Sequence, residues 1–273
     1  MKKSEKLYSS EISLPSRFDL GQTLNCGQCF RFSKSENGRY CGVALDKYFE
    51  FETKNSNLLV YCDSPFTDEE IIDYYDFGRD YEKINAILSC DKTMKKAIEY
   101  AGGIRVLRQP HWETLCSFIL SQNNNIKRIS GIIERLCECF GDKTTSGHYS
   151  FPSAERIASL TLDDLAPIRS GFRAKYVLDA AKKVVSGEID FNEILNSDYD
   201  TAHKILMRIN GVGPKVADCV LLFGFNKLEA FPKDVWIKKA LSEFYPDGIP
   251  DFFYKYGGIA QQYLFHYIRT SQD

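Results

Sequence analysis

No apolar run in the 273 residues approaches the ~18 needed to cross a membrane as a helix, so no spanning helix is expected. The opening Met1-Lys2-Lys3-Ser4-Glu5-Lys6 is polar with no apolar stretch behind it, which predicts no export signal. There is no internal repeat and no low-complexity tract. Strong excess charge is missing too, since the formal net charge is −2. That excludes a protein that coats nucleic acid indiscriminately. Nine cysteines are present, and without an export signal they read as reduced thiols. Cys26-Gly-Gln-Cys29 is a lone C-x-x-C with no second pair or His pair at zinc spacing, so packing is its expected role. No cysteine follows Cys219, which leaves no place after it for a four-cysteine iron–sulfur loop.

What is present is ordinary globular composition, 44% hydrophobic and 26% charged, which excludes general disorder. The length suggests about two domains and a core able to bury roughly 70–75% of the unfolded surface without disulfide or metal staples. Charge is unevenly placed. Residues 101–185 carry net +4, 186–200 carry −5 and 201–240 carry +4. Two basic segments around an acidic one fit a local phosphate-binding face, or equally solvated helix faces.

Residues 1–65 read as strands. Cys29–Phe32 and Tyr48–Glu52 alternate with period 2, Leu58–Cys62 is a third candidate, and Ser35-Glu36-Asn37-Gly38 predicts a hairpin turn. Thr67-Asp68-Glu69-Glu70 predicts a capped helix start. Helical spacing continues over 80–101, and Gly102-Gly103 suggests a domain boundary. Beyond it the pattern is helical almost throughout, with apolar stripes over 111–122 and 126–140 and further helices near 153–160, 161–168, 173–186, 200–209, 214–224, 235–244 and 256–269.

The most informative stretch runs from His203 to Val220 and reads as helix, Gly211-Val212-Gly213 turn, helix. The two glycines permit a tight turn and leave amides uncovered. Pro214 suits a first helical turn. The amides and the helix N-terminus together make an anion site. This is a helix-hairpin-helix, which grips a DNA phosphate without reading sequence. Lys215 opens the second helix, where the positive helix end and partial burial favour a neutral, nucleophilic amine. A surface lysine touching phosphate is the plainer alternative. Asp234 suits the N-cap of a helix from Val235 to Phe244, and equally a carboxylate held rigidly near Lys215.

A Lys after Gly-x-Gly-x with an Asp after a Pro resembles the helix-hairpin-helix DNA glycosylase superfamily, and within it the 8-oxoguanine DNA glycosylases. The resemblance covers nearly the whole chain, through Asn25–Phe32, Leu107–Gln109, Ser117–Ile126, Gly211–Cys219 and Ala260–Phe265. It implies an α+β chain: an N-terminal antiparallel β-sheet domain (TBP-like) with helices over 1–103, then an all-helical glycosylase domain over 104–273 with the hairpin at about 200–224. It implies a bifunctional enzyme that flips 8-oxoguanine, or a related oxidised purine, out of duplex DNA. Lys215 would attack C1′ and form a Schiff base, β-elimination would follow, and Asp234 would stabilise the developing positive charge. Gln261 would read the Watson–Crick edge, Phe265 and Cys219 would cover the two faces, and the Gly27 carbonyl would accept the N7–H that guanine lacks. Asn123, Arg128, Phe172 and Arg173 would fill the gap and meet the orphaned cytosine, and Gly211 and Gly213 would grip the backbone. No cofactor is implied beyond a structural monovalent cation on the carbonyls of Met207, Ile209 and Val212. A soluble monomer, cytoplasmic or nuclear according to source, acting on double-stranded DNA with 8-oxoguanine opposite cytosine, is the expectation. Two positions depart from the family pattern: Phe172 stands where tyrosine is usual, and Trp236 where histidine is. Other glycosylase branches and a non-catalytic hairpin DNA-binding module are the alternatives, and the Lys215–Asp234 pair argues against the module.

Overall fold

The computed structural model describes residues 7–270. Five strands, β1 (Tyr8–Ser13), β2 (Phe32–Lys34), β3 (Tyr40–Ala44), β4 (Lys47–Lys54) and β5 (Asn57–Cys62), form one antiparallel sheet in the order β1-β5-β4-β3-β2. Helix α1 (Leu20–Asn25) interrupts them, and α2 (Asp68–Tyr74), α3 (Tyr81–Leu88) and α4 (Lys92–Ala101) follow. The helical part contains α5 (His111–Ser121), α6 (Ile126–Phe140), α7 (Ala154–Ala158), α8 (Ala174–Val185) and α9 (Phe191–Asn196). It continues with α10 (Tyr199–Leu206), α11 (Pro214–Phe225), α12 (Val235–Phe244) and α13 (Gly257–Thr270). Among the described residues no helix is long and apolar enough to cross a membrane.

Period-2 patterning sets the sheet. Phe49 and Phe51 on β4 face the same side as Leu58, Val60 and Cys62 on β5, and all five are buried. The Asn-Gly turn closes the β2–β3 hairpin, with Gly38 N–H donating to Ser35 O at 3.0 Å. At the start of α2 the Thr67 hydroxyl accepts from Glu70 N–H, and the Glu70 carboxylate accepts from Thr67 N–H, a complete capping box.

Three local expectations change. Residues 29–31 are not strand, since β2 begins at Phe32. They belong to a loop fixed by side-chain hydrogen bonds, which the alternation does not reveal. Residues 161–168 hold only a short 3-10 turn at Ala166–Ile168, where Pro167 cannot extend an α-helix. β3 is implied by the Asn-Gly hairpin without bounds of its own, and β1, α1 and α9 carry no clear sequence signal. β1 buries only Ile12, and α1 and α9 have six residues each.

Packing does not follow the break at Gly102-Gly103. One apolar cluster joins the sheet to α1 and α2. The larger cluster takes Leu88, Met94, Ala97 and Ile98 of α3 and α4 into the helical body, alongside α5, α6, α8, α11 and α13. Leu107, beyond the break, packs with the sheet cluster.

Candidate active site

The hairpin turn between α10 and α11 is shaped by two glycines with different tasks. Gly211 has φ +80, and a Cβ there would lie 2.4 Å from the Tyr176 ring on α8. Gly213 caps α11 with an extended φ of −96, and nothing lies within 4 Å of where its Cβ would be. The first keeps the turn tight against the protein, and the second leaves the helix end open to an anion. The turn is latched to α8. The Asp179 carboxylate accepts from Asn210 N–H and Asn210 Nδ2, both at 2.8 Å, and Lys183 Nζ donates to Arg208 O at 2.6 Å.

Helical periodicity then aims the side chains. Lys215, Cys219 and Phe223 recur every fourth residue on α11, as Gln261 and Phe265 do on α13, so each set lies along one face. The helices approach closely because position 258 is glycine: a Cβ there would lie 2.1 Å from Leu222 Cδ1. Between them is a cleft lined by Gly27, Lys215, Cys219, Asp234, Gln261 and Phe265, with Phe118 at one wall. Six positions scattered over 239 residues of sequence thus meet in one place. Lys215 Nζ lies 5.6 Å from the centre of the Phe118 ring. Asp234 is the N-cap of α12, its carboxylate accepting from Ile237 N–H at 2.8 Å, and it lines the cleft as well. Gln261 is buried and donates to Pro232 O at 3.2 Å, which ties the segment before Asp234 to α13. Gln262 Nε2 donates to Gln261 Oε1 at 2.8 Å and fixes that amide's orientation. Burial pushes the Cys219 thiol up to about 11 against the pull of the nearby Lys215 charge. It is therefore a neutral, apolar wall at physiological pH. The free space is about 50 Å³, against roughly 300–1,000 Å³ for a typical small-molecule site.

Gly27 enters the cleft from a loop held by a residue that the sequence did not single out. Gln28 is 1% exposed. Its Nε2 donates to Thr23 O and Arg105 O at 2.8 Å, its Oε1 accepts from Leu107 N–H at 2.9 Å, and its own carbonyl accepts from Gln109 Nε2 at 2.8 Å. These bonds fasten the loop to the strand-like segment 104–109. Gly27 itself has φ +81, and a Cβ there would lie 3.6 Å from the Phe265 ring. Within the Cys26-Gly-Gln-Cys29 run, both thiols are buried. Burial pushes Cys26 up to about 12, although hydrogen bonding from Gln28 opposes it, and it raises Cys29 as well. Neutral buried thiols are poor metal ligands and poor nucleophiles.

The remaining expected residues gather elsewhere. Asn123 is exposed with φ 51, which asparagine tolerates. Asn124 Nδ2 donates back to Leu120 O, and Asn125 caps α6 by accepting from Arg128 N–H at 3.0 Å. Arg128 and Phe172 line a second cleft, and Phe172 is 51% exposed. Arg173 instead turns inward and is 3% exposed. Its guanidinium donates to the carbonyls of Gln122, Asn123 (3.0 Å) and Ser170 (3.2 Å), so it braces the Asn123 loop here. Met207, Ile209 and Val212 lie in the hairpin turn, the last two buried. Trp236 is exposed in the first turn of α12.

Residues 11–115 match the family described as 8-oxoguanine DNA glycosylase, N-terminal domain, and residues 116–248 match the HhH-GPD superfamily base excision DNA repair proteins. A protein of Methanothermobacter thermautotrophicus named probable N-glycosylase/DNA lyase is 32% identical over 77% of this chain and 78% of its own length. The N-glycosylase/DNA lyase of Saccharomyces cerevisiae is 39% identical over 50% of this chain, a match that spans only 40% of the yeast protein. The 8-oxoguanine glycosylase/lyase of Clostridium acetobutylicum, solved with double-stranded DNA containing cytosine opposite 8-oxoguanine, superposes with a TM-score of 0.89. It is 34% identical, over 98% of this chain and 99% of that one.

Proposed function

The chain belongs to the HhH-GPD superfamily of base excision DNA repair proteins, in the branch with the 8-oxoguanine DNA glycosylase N-terminal domain, and from that membership we propose that it excises 8-oxoguanine from duplex DNA and then cuts the strand as an AP lyase. The observation that carries this reading is the meeting of Lys215, Asp234, Gln261, Phe265, Cys219 and Gly27 in one cleft beside the hairpin.

The chemistry follows from those groups. The hairpin takes a backbone phosphate on the amides around Gly211 and Gly213. The lesion leaves the stack, because its sugar carbon is out of reach inside the duplex. The base lies between Phe265 and Cys219. Gln261 meets its Watson–Crick edge. The Gly27 carbonyl accepts from N7–H, a donor that guanine does not have, so with guanine a buried acceptor would face a lone pair. The Lys215 amine, on giving up a proton, forms a bond to C1′. The C1′–N9 bond breaks, and the base leaves with the electron pair and takes up a proton. The nitrogen gives up one proton, the C1′–O4′ bond breaks as O4′ takes up a proton, and C1′ and nitrogen are left as a protonated Schiff base, which makes the C2′ proton acidic enough for β-elimination of the 3′ phosphate. Asp234, rigid at its helix cap, offsets the positive charge on the sugar.

Finer points belong to the same proposal. Asn123, Arg128 and Phe172 occupy the gap and meet the orphaned cytosine, with Arg173 bracing the Asn123 loop. No cofactor takes part in the reaction. Among the described residues no cluster of three or more His, Cys, Asp or Glu side chains is placed to hold a metal ion. The Ile209 carbonyl accepts from Val212 N–H at 3.0 Å and keeps a second lone pair. With the carbonyls of Met207 and Val212 it offers oxygen donors suited to a structural monovalent cation.

Duplexes carrying one end-labelled lesion opposite each base test the reading. Strand cutting at 8-oxoguanine and a borohydride-trapped covalent adduct are expected. Cutting at other lesions only, or no adduct, would overturn it.

A further inference from the structure

The cleft beside Phe172 has a basic wall of which the reading above uses only Arg128. Arg128, Arg169 and Lys175 line a space of about 560 Å³ together with Phe172, and no acidic side chain lines it. All three cations are exposed, and none forms an ion pair among the described residues. The like charge of Arg128 also reaches Arg173, lowering its proton affinity after the larger effect of burial. Ser170 lines the same cleft, is 1% exposed, and its Oγ has no partner inside the protein. Uncompensated positive charge around a concave surface, with a spare donor, suits an anion.

Arg169 is the unusual member. It has φ 56 and ψ 37, the left-handed region that costs a residue with a Cβ and that glycine occupies freely. It ends the 3-10 turn, its N–H donating to Ala166 O at 3.1 Å. Its neighbours are clamped. Arg135 Nε donates to Ile168 O at 3.1 Å, and Arg173 Nη1 donates to Ser170 O at 3.2 Å. The backbone on both sides of Arg169 is thus held while its guanidinium stays in solvent with no partner among the described residues. An immobilised backbone lowers the ordering cost of any contact the side chain makes.

We propose that Arg169, with Lys175 beside it, binds a backbone phosphate of the undamaged strand, next to the orphaned base. The proposal rests on the glycosylase reading, which places Arg128 and Phe172 of this cleft at that base. Guanidinium suits phosphate because its planar fork can donate to two oxygens. Such a contact carries no sequence information. It sets the register of the duplex over Phe172, the wedge into the gap, and adds to affinity in a salt-dependent way.

The full chain is titrated onto a duplex carrying a tetrahydrofuran abasic analogue opposite cytosine, across a series of salt concentrations. Arg169→Gly should reduce the slope of log K against log salt by about one phosphate's worth. Its thermal midpoint should hold or rise, because glycine relieves the left-handed backbone. Arg169→Asn, which also tolerates this conformation, should lose the same slope. A single methylphosphonate scanned along each strand in turn should find one position, on the undamaged strand, that weakens the wild type and leaves Arg169→Gly unaffected. An unchanged slope in both variants, or coupling only to phosphates of the damaged strand, would overturn the proposal. Failure of the wild type to excise the lesion at all would overturn the glycosylase reading instead.

Discussion

The base cleft and the wedge cleft are built on opposite principles. The first lies between two long helices and is lined by residues four apart on each, so side-chain directions follow from backbone periodicity. It is small, and Gln261 and Cys219 in it are buried. The second lies where the segment 162–173 meets the first turns of α6 and α8. Arg169 in it holds left-handed backbone, and Phe172, Arg128 and Arg169 stand in solvent. Bond-breaking needs reacting atoms held closely, which packed helices provide. Gripping a duplex needs reach and charge, which loops braced by buried groups such as Arg173 provide. Errors of placement should therefore be costly in the first cleft and mild in the second.

That contrast can be tested by substitution. Lys215→Gln, close in size, should remove at least ~10³ of the excision rate, about 4 kcal/mol, while lesion-duplex affinity and thermal midpoint stay near wild type. Residual excision near the wild-type rate would break the assignment of the nucleophile. Gln28→Ala leaves Thr23 O, Arg105 O and Leu107 N–H without their buried partner. A loss on the order of 3 kcal/mol in denaturant unfolding is expected, with lesion excision falling more than non-specific binding. Equal losses of both would mean the loop serves the fold alone. Gln261→Ala should cost about 1–3 kcal/mol in kcat/KM on 8-oxoguanine without improving guanine removal. Unchanged kinetics would remove Gln261 from base reading. In the wedge cleft, Arg128→Ala should lower the preference for cytosine over adenine opposite the lesion by roughly 1–2 kcal/mol. Phe172→Tyr should raise it by on the order of 1 kcal/mol or less, through one added hydroxyl. Single-turnover rates against all four opposing bases measure both, and equal wild-type rates opposite cytosine and adenine would sink the arginine assignment.

The two clefts also differ in how far they could be read from sequence. Helix periodicity and the Gly-Val-Gly-Pro-Lys turn marked α10 and α11, and α12 begins at Val235 as Asp234 requires. The meeting of Gly27 with Phe265 was legible only through family resemblance, because no local pattern links positions 238 apart. Gln28 left no local signal at all. A glutamine between two cysteines looks like a surface residue until its four partners are seen. β3 was legible only as the second arm of the Asn-Gly hairpin, because Gly42 breaks its alternation, and the structure shows why glycine stands there: a Cβ would lie 2.2 Å from Arg31 O. Arg173 was legible as a cation near the wedge but not as an internal brace, since its acceptors are backbone carbonyls. Arg169 gave no sign, because φ is invisible in a sequence that does not use glycine there.

The division of the core bears on how the chain is made. Met94, Ala97 and Ile98 of α4 pack in the cluster that also takes Ile259, Tyr263 and Leu264 of α13. The first helices of that body therefore wait for the last before their apolar faces are covered. During synthesis at ~5–20 residues per second, α4 stays uncovered for on the order of 10–30 s after it leaves the ribosome. Cutting the chain at Gly102-Gly103 would strand α3 and α4 with the sheet and open the floor of the other half. Calorimetry of the whole chain should accordingly show one cooperative transition, and two resolved peaks would mean the halves melt apart. What α3 and α4 leave open, the fourteen residues of α13 close.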